Sequence, residues 1–192
     1  PVELFLDESW LDTALAARPS VAPDPSVGLP AGPDLERWLA DLEARGTAIV
    51  ILGPAAFSRV AYGDRNEGCV AVVPFRERTL DAFTPVPDAP VMIVEGVEKP
   101  GNLGAILRTV DAAGLAGVIA CGAGTDAANP ATIRASLGTV FSVPLARATT
   151  DAAIAHCCDT GRRVVAASPG APRPWHAADL TGRVAILLGS EA

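Results

Sequence analysis

The chain has 192 residues, 49% of them hydrophobic and 19% charged, with a formal net charge of −7. That composition excludes a disordered or fibrous chain and supplies a core for one domain or two small ones. The longest uncharged run, Ala112–Thr125, falls short of the roughly 20 residues a membrane helix needs, and no basic-then-apolar leader opens the sequence at Pro1.

The first half, 1–75, reads as a small α/β unit. Val2–Leu6 is expected as a strand, followed by a short helix from Ser9 and a Pro- and Gly-rich loop over Pro19–Pro33. Asp34–Arg45 carries Leu35, Trp38, Leu39 and Leu42 at helical spacing, and Gly46 stops it. Thr47–Leu52 is a β-branched apolar strand, Pro54–Ala61 a helix, and Cys69–Phe75 another strand. Arg76–Pro90, with three prolines, reads as a linker.

From 91 onward strand and helix alternate. Strands are expected at 91–95, 117–121, 163–167 and 183–188, and helices at 102–113, 129–136 and 151–160. A weaker helix is expected near 175–180, and an extended piece over 140–145. Such alternation implies an α/β fold with a parallel, doubly wound sheet.

Ligands of such sheets bind beyond the carboxyl ends of the strands. Two ends stand out: Glu95–Asn102, and Gly189-Ser190-Glu191. Asn102 can cap the following helix. Leu103, Ile106, Leu107, Val110 and Ala113 then form its buried stripe, with Arg108 off it. Gly104 and Ala105 leave space around that guanidinium, and Asp111 is placed to pair with it. A surface arginine in a helix ion pair is the alternative reading.

The negative charge argues against broad nucleic-acid affinity, which needs a basic face. It leaves room for local clusters, and Arg59, Arg65, Arg76 and Arg78 are close in sequence. Gly122-Ala-Gly124 lacks the third glycine of a dinucleotide fingerprint, so a nicotinamide cofactor is not expected. Cys69 and Cys121 lie in apolar runs and read as buried thiols. Cys157 and Cys158 are adjacent. None of the four shows metal-ligand spacing, so no metal is expected, and free thiols fit a reducing cytoplasm.

Glu98-Lys-Pro-Gly-Asn-Leu-Gly-Ala-Ile-Leu-Arg108, followed by Asp111-Ala-Ala-Gly114, resembles the first motif of the SpoU (TrmH-like) branch of SPOUT RNA methyltransferases. Asn129-Pro-Ala-Thr-Ile-Arg-Ala-Ser-Leu-Gly138, with Phe141 and Pro144, is similar to the segment that follows in that family. Leu187-Leu-Gly-Ser-Glu191 resembles the start of its second motif. Gly68–Val73 resembles the end of its N-terminal substrate-binding domain.

The resemblance implies S-adenosylmethionine-dependent methylation of a ribose 2′-hydroxyl, in rRNA rather than tRNA, by a cytoplasmic homodimer. It implies a parallel SPOUT sheet with a trefoil knot over 91–192, preceded by an RNA substrate-binding domain over 1–75. By the family pattern Asn102, Arg108 and Glu191 are catalytic. Leu188, Gly189 and Ser190 line the methionine pocket, and Ala167 and Ser168 the adenosine side. Arg59, Arg65 and Arg134 are expected to touch RNA. The family's second motif runs on with further glycines, and a third follows. These lie past Ala192, so the 192-residue chain is expected to bind the cofactor weakly or not at all. A non-catalytic RNA-binding module of the same fold is the alternative function.

Overall fold

The computed structural model describes residues 2–17, 29–63, 67–75 and 77–189. The chain divides into two compact units, Pro1–Phe75 and Arg76–Ala192.

The smaller unit follows the order β1 (Glu3–Asp7), α1 (Glu8–Ala16), α2 (Pro33–Ala44), β2 (Ala48–Leu52), α3 (Pro54–Val60) and β3 (Cys69–Val72). β1 is the central strand, parallel to β2 and antiparallel to β3. Leu4 and Leu6 alternate into a core shared with Leu11 and Leu35, as the two-residue period of a strand demands. Asp7 ends β1 and caps α1, its Oδ1 accepting from the Trp10 amide at 3.0 Å. β3 is shorter than the 69–75 expected, and Cys69 is half-buried. Most of the Pro19–Pro33 loop lies outside the described residues.

The larger unit contains β4 (Val91–Glu95), α4 (Pro100–Ala112), β5 (Val118–Cys121), α5 (Pro130–Ser136), α6 (Thr139–Ser142), β6 (Leu145–Ala148), α7 (Thr150–Asp159), β7 (Arg163–Ala167) and β8 (Val184–Leu188). All five strands are parallel, in the order β6-β5-β4-β8-β7. Val91, Ile93, Ile119, Ala146 and Ala185 are fully or almost fully buried in its core, the run of apolar residues expected where helices cover a parallel sheet.

Two expectations need correction. The extended piece over 140–145 is a turn of helix, α6, and the strand starts only at Leu145. The β-branched run there is overridden by local hydroxyl bonds. Buried Ser136 Oγ accepts from the Gly138 and Val140 amides at 3.2 and 3.4 Å, and Val143 N closes on Thr139 O at 2.8 Å. The weak helix near 175–180 shrinks to a 3₁₀ turn over Trp175–Ala177.

The Pro-rich stretch read as a linker packs onto the larger unit. Arg78 bridges to Ala146 beside β6, and Phe83 is buried in the core. Arg162, 5% exposed, donates to the carbonyls of Ala89, Val86 and Pro87 at 2.6, 3.0 and 3.1 Å. Fixed prolines give this stretch few backbone donors of its own, so its carbonyls are free to take the guanidinium fork.

Among the described residues no helix is long and apolar enough to cross a membrane.

Candidate functional site

From β4 the chain steps outward to β5 and β6 on one side, while β7 and β8 fill the other. The switch therefore falls between β4 and β8. At such a point the loops leaving two neighbouring strands turn apart and open a crevice at the carboxyl rim. A cavity of about 410 Å³ lies there, lined by Glu95, Val97, Lys99 and Asn102 from the β4–α4 side and Leu188 and Gly189 from β8. Its volume is in the range of small-molecule sites. Glu95 and Glu98 face it against one cation, Lys99, so the lining is net negative and suits a ligand bearing positive charge.

The local sequence explains the loop. Gly96 takes φ +65° and donates its amide to Cys121 O at 3.1 Å, a turn open to glycine at little cost. Val97 O accepts from Thr125 N at 2.9 Å, tying the loop after β4 to the loop after β5. At Gly189 a Cβ would meet nothing within 4 Å. Among the described residues nothing fills the space beside Gly189, so a ligand can approach the backbone there.

α4 begins with Pro100 at its first turn, and Lys99 is the capping position. Asn102 therefore does not cap the helix. It sits inside the first turn, its amide bonded to Lys99 O at 3.0 Å, with its exposed side chain on the cavity. Arg108 is also exposed, but it is not part of the cavity lining. Six residues along a helix carry it about 9 Å up the axis and roughly 120° around from Asn102. It makes no ion pair with Asp111, nor any other among the described residues.

Gly104 has a different role from the one expected. It is buried, and a Cβ there would sit 2.6 Å from Ala135 Cβ and 2.7 Å from Ser136 N. Its smallness lets α5 approach α4; it does not clear room for Arg108. Ile106 is half-buried and Ala113 exposed, so the buried stripe is Leu103, Gly104, Leu107 and Val110.

Of the other expected site residues, Leu188 and Gly189 line the cavity. Ala167 is the register partner of Leu188 across β7 and β8, yet neither it nor Ser168 lines the cavity, and both are exposed. Arg134 is exposed on α5, the helix packed on α4, and Arg59 is exposed in the last turn of α3. Arg65, Ser190 and Glu191 lie outside the described residues. Glu95, Val97 and Lys99 were not singled out by sequence, although they fall within the Glu95–Asn102 run marked as a rich strand end.

Burial pushes the thiols of Cys69, Cys121 and Cys157 up from their ordinary value of 9.0. Such thiols are protonated at neutral pH and are poor nucleophiles. No group of three His, Cys, Asp or Glu side chains suited to a metal occurs among the described residues.

Fold and site together define an open parallel α/β domain with a small-molecule cavity at its strand switch. Residues 89–192 match the SpoU rRNA Methylase family, and the chain belongs to that family. It is 34% identical over 157 residues to a 23S rRNA (adenosine(1067)-2′-O)-methyltransferase from Streptomyces laurentii, covering 80% of this chain and 57% of that one. It is 31% identical over 155 residues to the 23S rRNA (guanosine-2′-O-)-methyltransferase RlmB of Shewanella oneidensis, covering 78% and 63%. The chain thus spans less than two thirds of the length of either relative. Among solved structures, an AdoMet-bound rRNA methyltransferase from Sinorhizobium meliloti superposes with TM-score 0.77 at 26% identity, covering 99% of this chain and 64% of that one. An RNA 2′-O ribose methyltransferase superposes with TM-score 0.70 at 31% identity, covering 98% and 63%.

Proposed function

We propose that the protein serves S-adenosylmethionine-dependent methylation of a ribose 2′-hydroxyl in 23S rRNA. The observation that carries this reading is the cavity at the β4–β8 switch, walled by Asn102 and Gly189. The activities of the relatives above support the reaction and the RNA class, and the AdoMet-bound neighbour supports the cofactor. The residues present fit that group. The volume is adequate, the lining is net negative, and the rim beside Gly189 is open.

When bound, S-adenosylmethionine supplies a methyl group already activated on a sulfonium sulfur. The chain's own task is to hold the ribose in line and stabilise charge gathering on its oxygen. Leu188 and Gly189 would form the β8 wall of the cofactor site and Asn102 would secure the facing loop. Ser190 and Glu191 follow directly in sequence. Ala167 and Ser168, at the end of β7, belong to the adenosine side in this reading.

Arg108 keeps its proton at ordinary pH, so it is not the base. Its role is to clamp a phosphate beside the target ribose with a guanidinium fork and to offset the developing alkoxide charge. Its exposure, with no partner among the described residues, suits a group whose partner is RNA. Arg59, Arg65 and Arg134 extend the contact to the RNA backbone, and a homodimer would sum two such sets. Because the chain carries −7 overall, RNA affinity must come from these local cations and should fall steeply with added salt.

Transfer of tritiated methyl from S-adenosylmethionine to 23S rRNA and to bulk tRNA, using the full-length gene product beside this 192-residue chain, tests the reading. Ribose-linked label in rRNA is the expected result. RNA binding without methyl transfer in either form would replace the enzyme with a binding module.

A further inference from the structure

Glu95 walls two cavities. On its other side from the β4–β8 cavity, a second space of about 470 Å³ opens beyond the carboxyl ends of β4, β5 and β6. Its lining is Glu95, Gly122, Ala148, Thr149, Thr150 and Asp151. Glu95 is held between them. Thr150 Oγ1 donates to its Oε1 at 2.9 Å, across 55 residues of sequence. Oε2 has no partner among the described residues and is not sealed from solvent. Gly122 forms part of the floor at φ +74°, with its α-carbon beside the Gly96 amide.

The second cavity offers acceptors and hydroxyls and no lysine or arginine. It therefore disfavours phosphate and favours a ligand that presents N–H groups. Among nucleobases only guanine shows a carboxylate two adjacent donors, N1–H and the N2 amino group. Adenine and cytosine place a ring-nitrogen lone pair beside their amino group, and uracil flanks its single N–H with carbonyls. Each of these sets a lone pair against the second carboxylate oxygen.

We propose that Glu95 is a specificity-determining residue which takes the Watson–Crick edge of a target guanine in the second cavity, one side chain away from the methyl-donor site. Enzymes that act on a single nucleotide commonly read it in this way, extruded and bonded along that edge. The inference rests on the methyltransferase reading above, and it adds a substrate pocket and a base preference.

The test is titration of the full-length protein with guanosine, inosine, adenosine and uridine, followed through the amide resonances of Gly122, Thr150 and Asp151. Guanosine should bind about tenfold more tightly than adenosine or uridine, the discrimination expected of a bidentate pair. Inosine, which lacks the N2 amino group, should fall between. Glu95→Gln retains the acceptor for Thr150 and should bring the four nucleosides within about twofold of one another, since it places an amide donor against the guanine donors. Thr150→Val, which frees the carboxylate to rotate, should weaken guanosine alone. Silent amides at these positions, or a guanosine preference that survives Glu95→Gln, would overturn the proposal. Because the readout is binding, such a failure beside intact methyl transfer leaves the enzymatic reading standing. Guanosine bound at these amides without methyl transfer to any RNA would count against the enzyme and for the pocket.

Discussion

Gly104 of α4 lies so close to Ala135 of α5 that a Cβ on the glycine would stand 2.6 Å from the alanine's. Alanine in a helix interior is favoured over glycine by about 0.5–1 kcal/mol. Here overlap with fixed backbone at Ser136 outweighs that gain, because no side-chain rotation can relieve it. Gly104→Ala should destabilise the larger unit by about 1–3 kcal/mol. Gly101, one turn earlier on the same helix, has nothing within 4 Å of its missing Cβ. Gly101→Ala should stabilise by about 0.5–1 kcal/mol. Thermal melts of the two variants should move in opposite directions, and equal shifts would refute the close-approach account.

Arg162 holds three carbonyls of the 86–89 stretch from a buried position. Arg162→Ala strands the Ala89 and Pro87 carbonyls, whereas Val86 O keeps the Ala89 amide at 3.3 Å, and should cost about 3 kcal/mol. Arg162→Lys brings a charge without the planar fork and should recover only part of it. Limited proteolysis between Pro85 and Pro90 should accelerate in the alanine variant. Unchanged cleavage would mean that Phe83 packing alone holds the stretch.

The raised thiol pKa values predict how stability depends on alkali. Cys69, Cys121 and Cys157 hold their protons more tightly folded than unfolded. Their contribution is therefore fully present below the unfolded value of 9.0 and is lost as pH rises toward the folded values. Melting temperature should be flat with respect to the thiols between pH 7 and 8 and fall above about pH 9. Cys158 is exposed. Under native conditions at neutral pH, mass spectrometry should find Cys158 alkylated first, with Cys121 and Cys157 reacting only on unfolding.

Arg108→Ala removes an exposed side chain that has no partner among the described residues, so stability should change by less than about 0.5 kcal/mol. In the proposed reaction, turnover should fall about 10²–10³-fold, the cost of losing one charge-stabilising donor. Arg108→Lys retains charge without the fork. Near-full activity in that variant would exclude a role for bidentate geometry.

Much of the sheet was legible because its strands are continuous apolar runs bounded by turn residues, as at Val91–Glu95 and Val184–Leu188. α6 was not legible. Thr139–Ser142 looks extended by composition, and its helical turn is held by bonds to Ser136 and by the left-handed Gly138 before it. The rim of the site was visible in the Glu95–Asn102 run, but two of its details were not. The partner of Gly104 is 31 residues away on α5 and that of Glu95 is 55 residues away on α7. Neither contact leaves a local spacing to read. Sequence also grouped Asn102 with Arg108, whereas helix geometry turns them to different sides.

β8 comes last in sequence among the five described strands of the sheet, yet it lies inside it, between β4 and β7. Until Val184–Leu188 leaves the ribosome, β4 presents an open edge and β7 has no partner in the sheet. From the synthesis of β4 to that of β8 the nascent chain must therefore carry an unfinished parallel sheet, with exposed edges of the kind that invite association with other chains. The pairing that closes β4 onto β8 spans more than 90 residues of chain, so loop closure makes it slow. The same crossing completes the β8 wall of the cavity, and ligand capacity should therefore appear only once β8 has docked against β4.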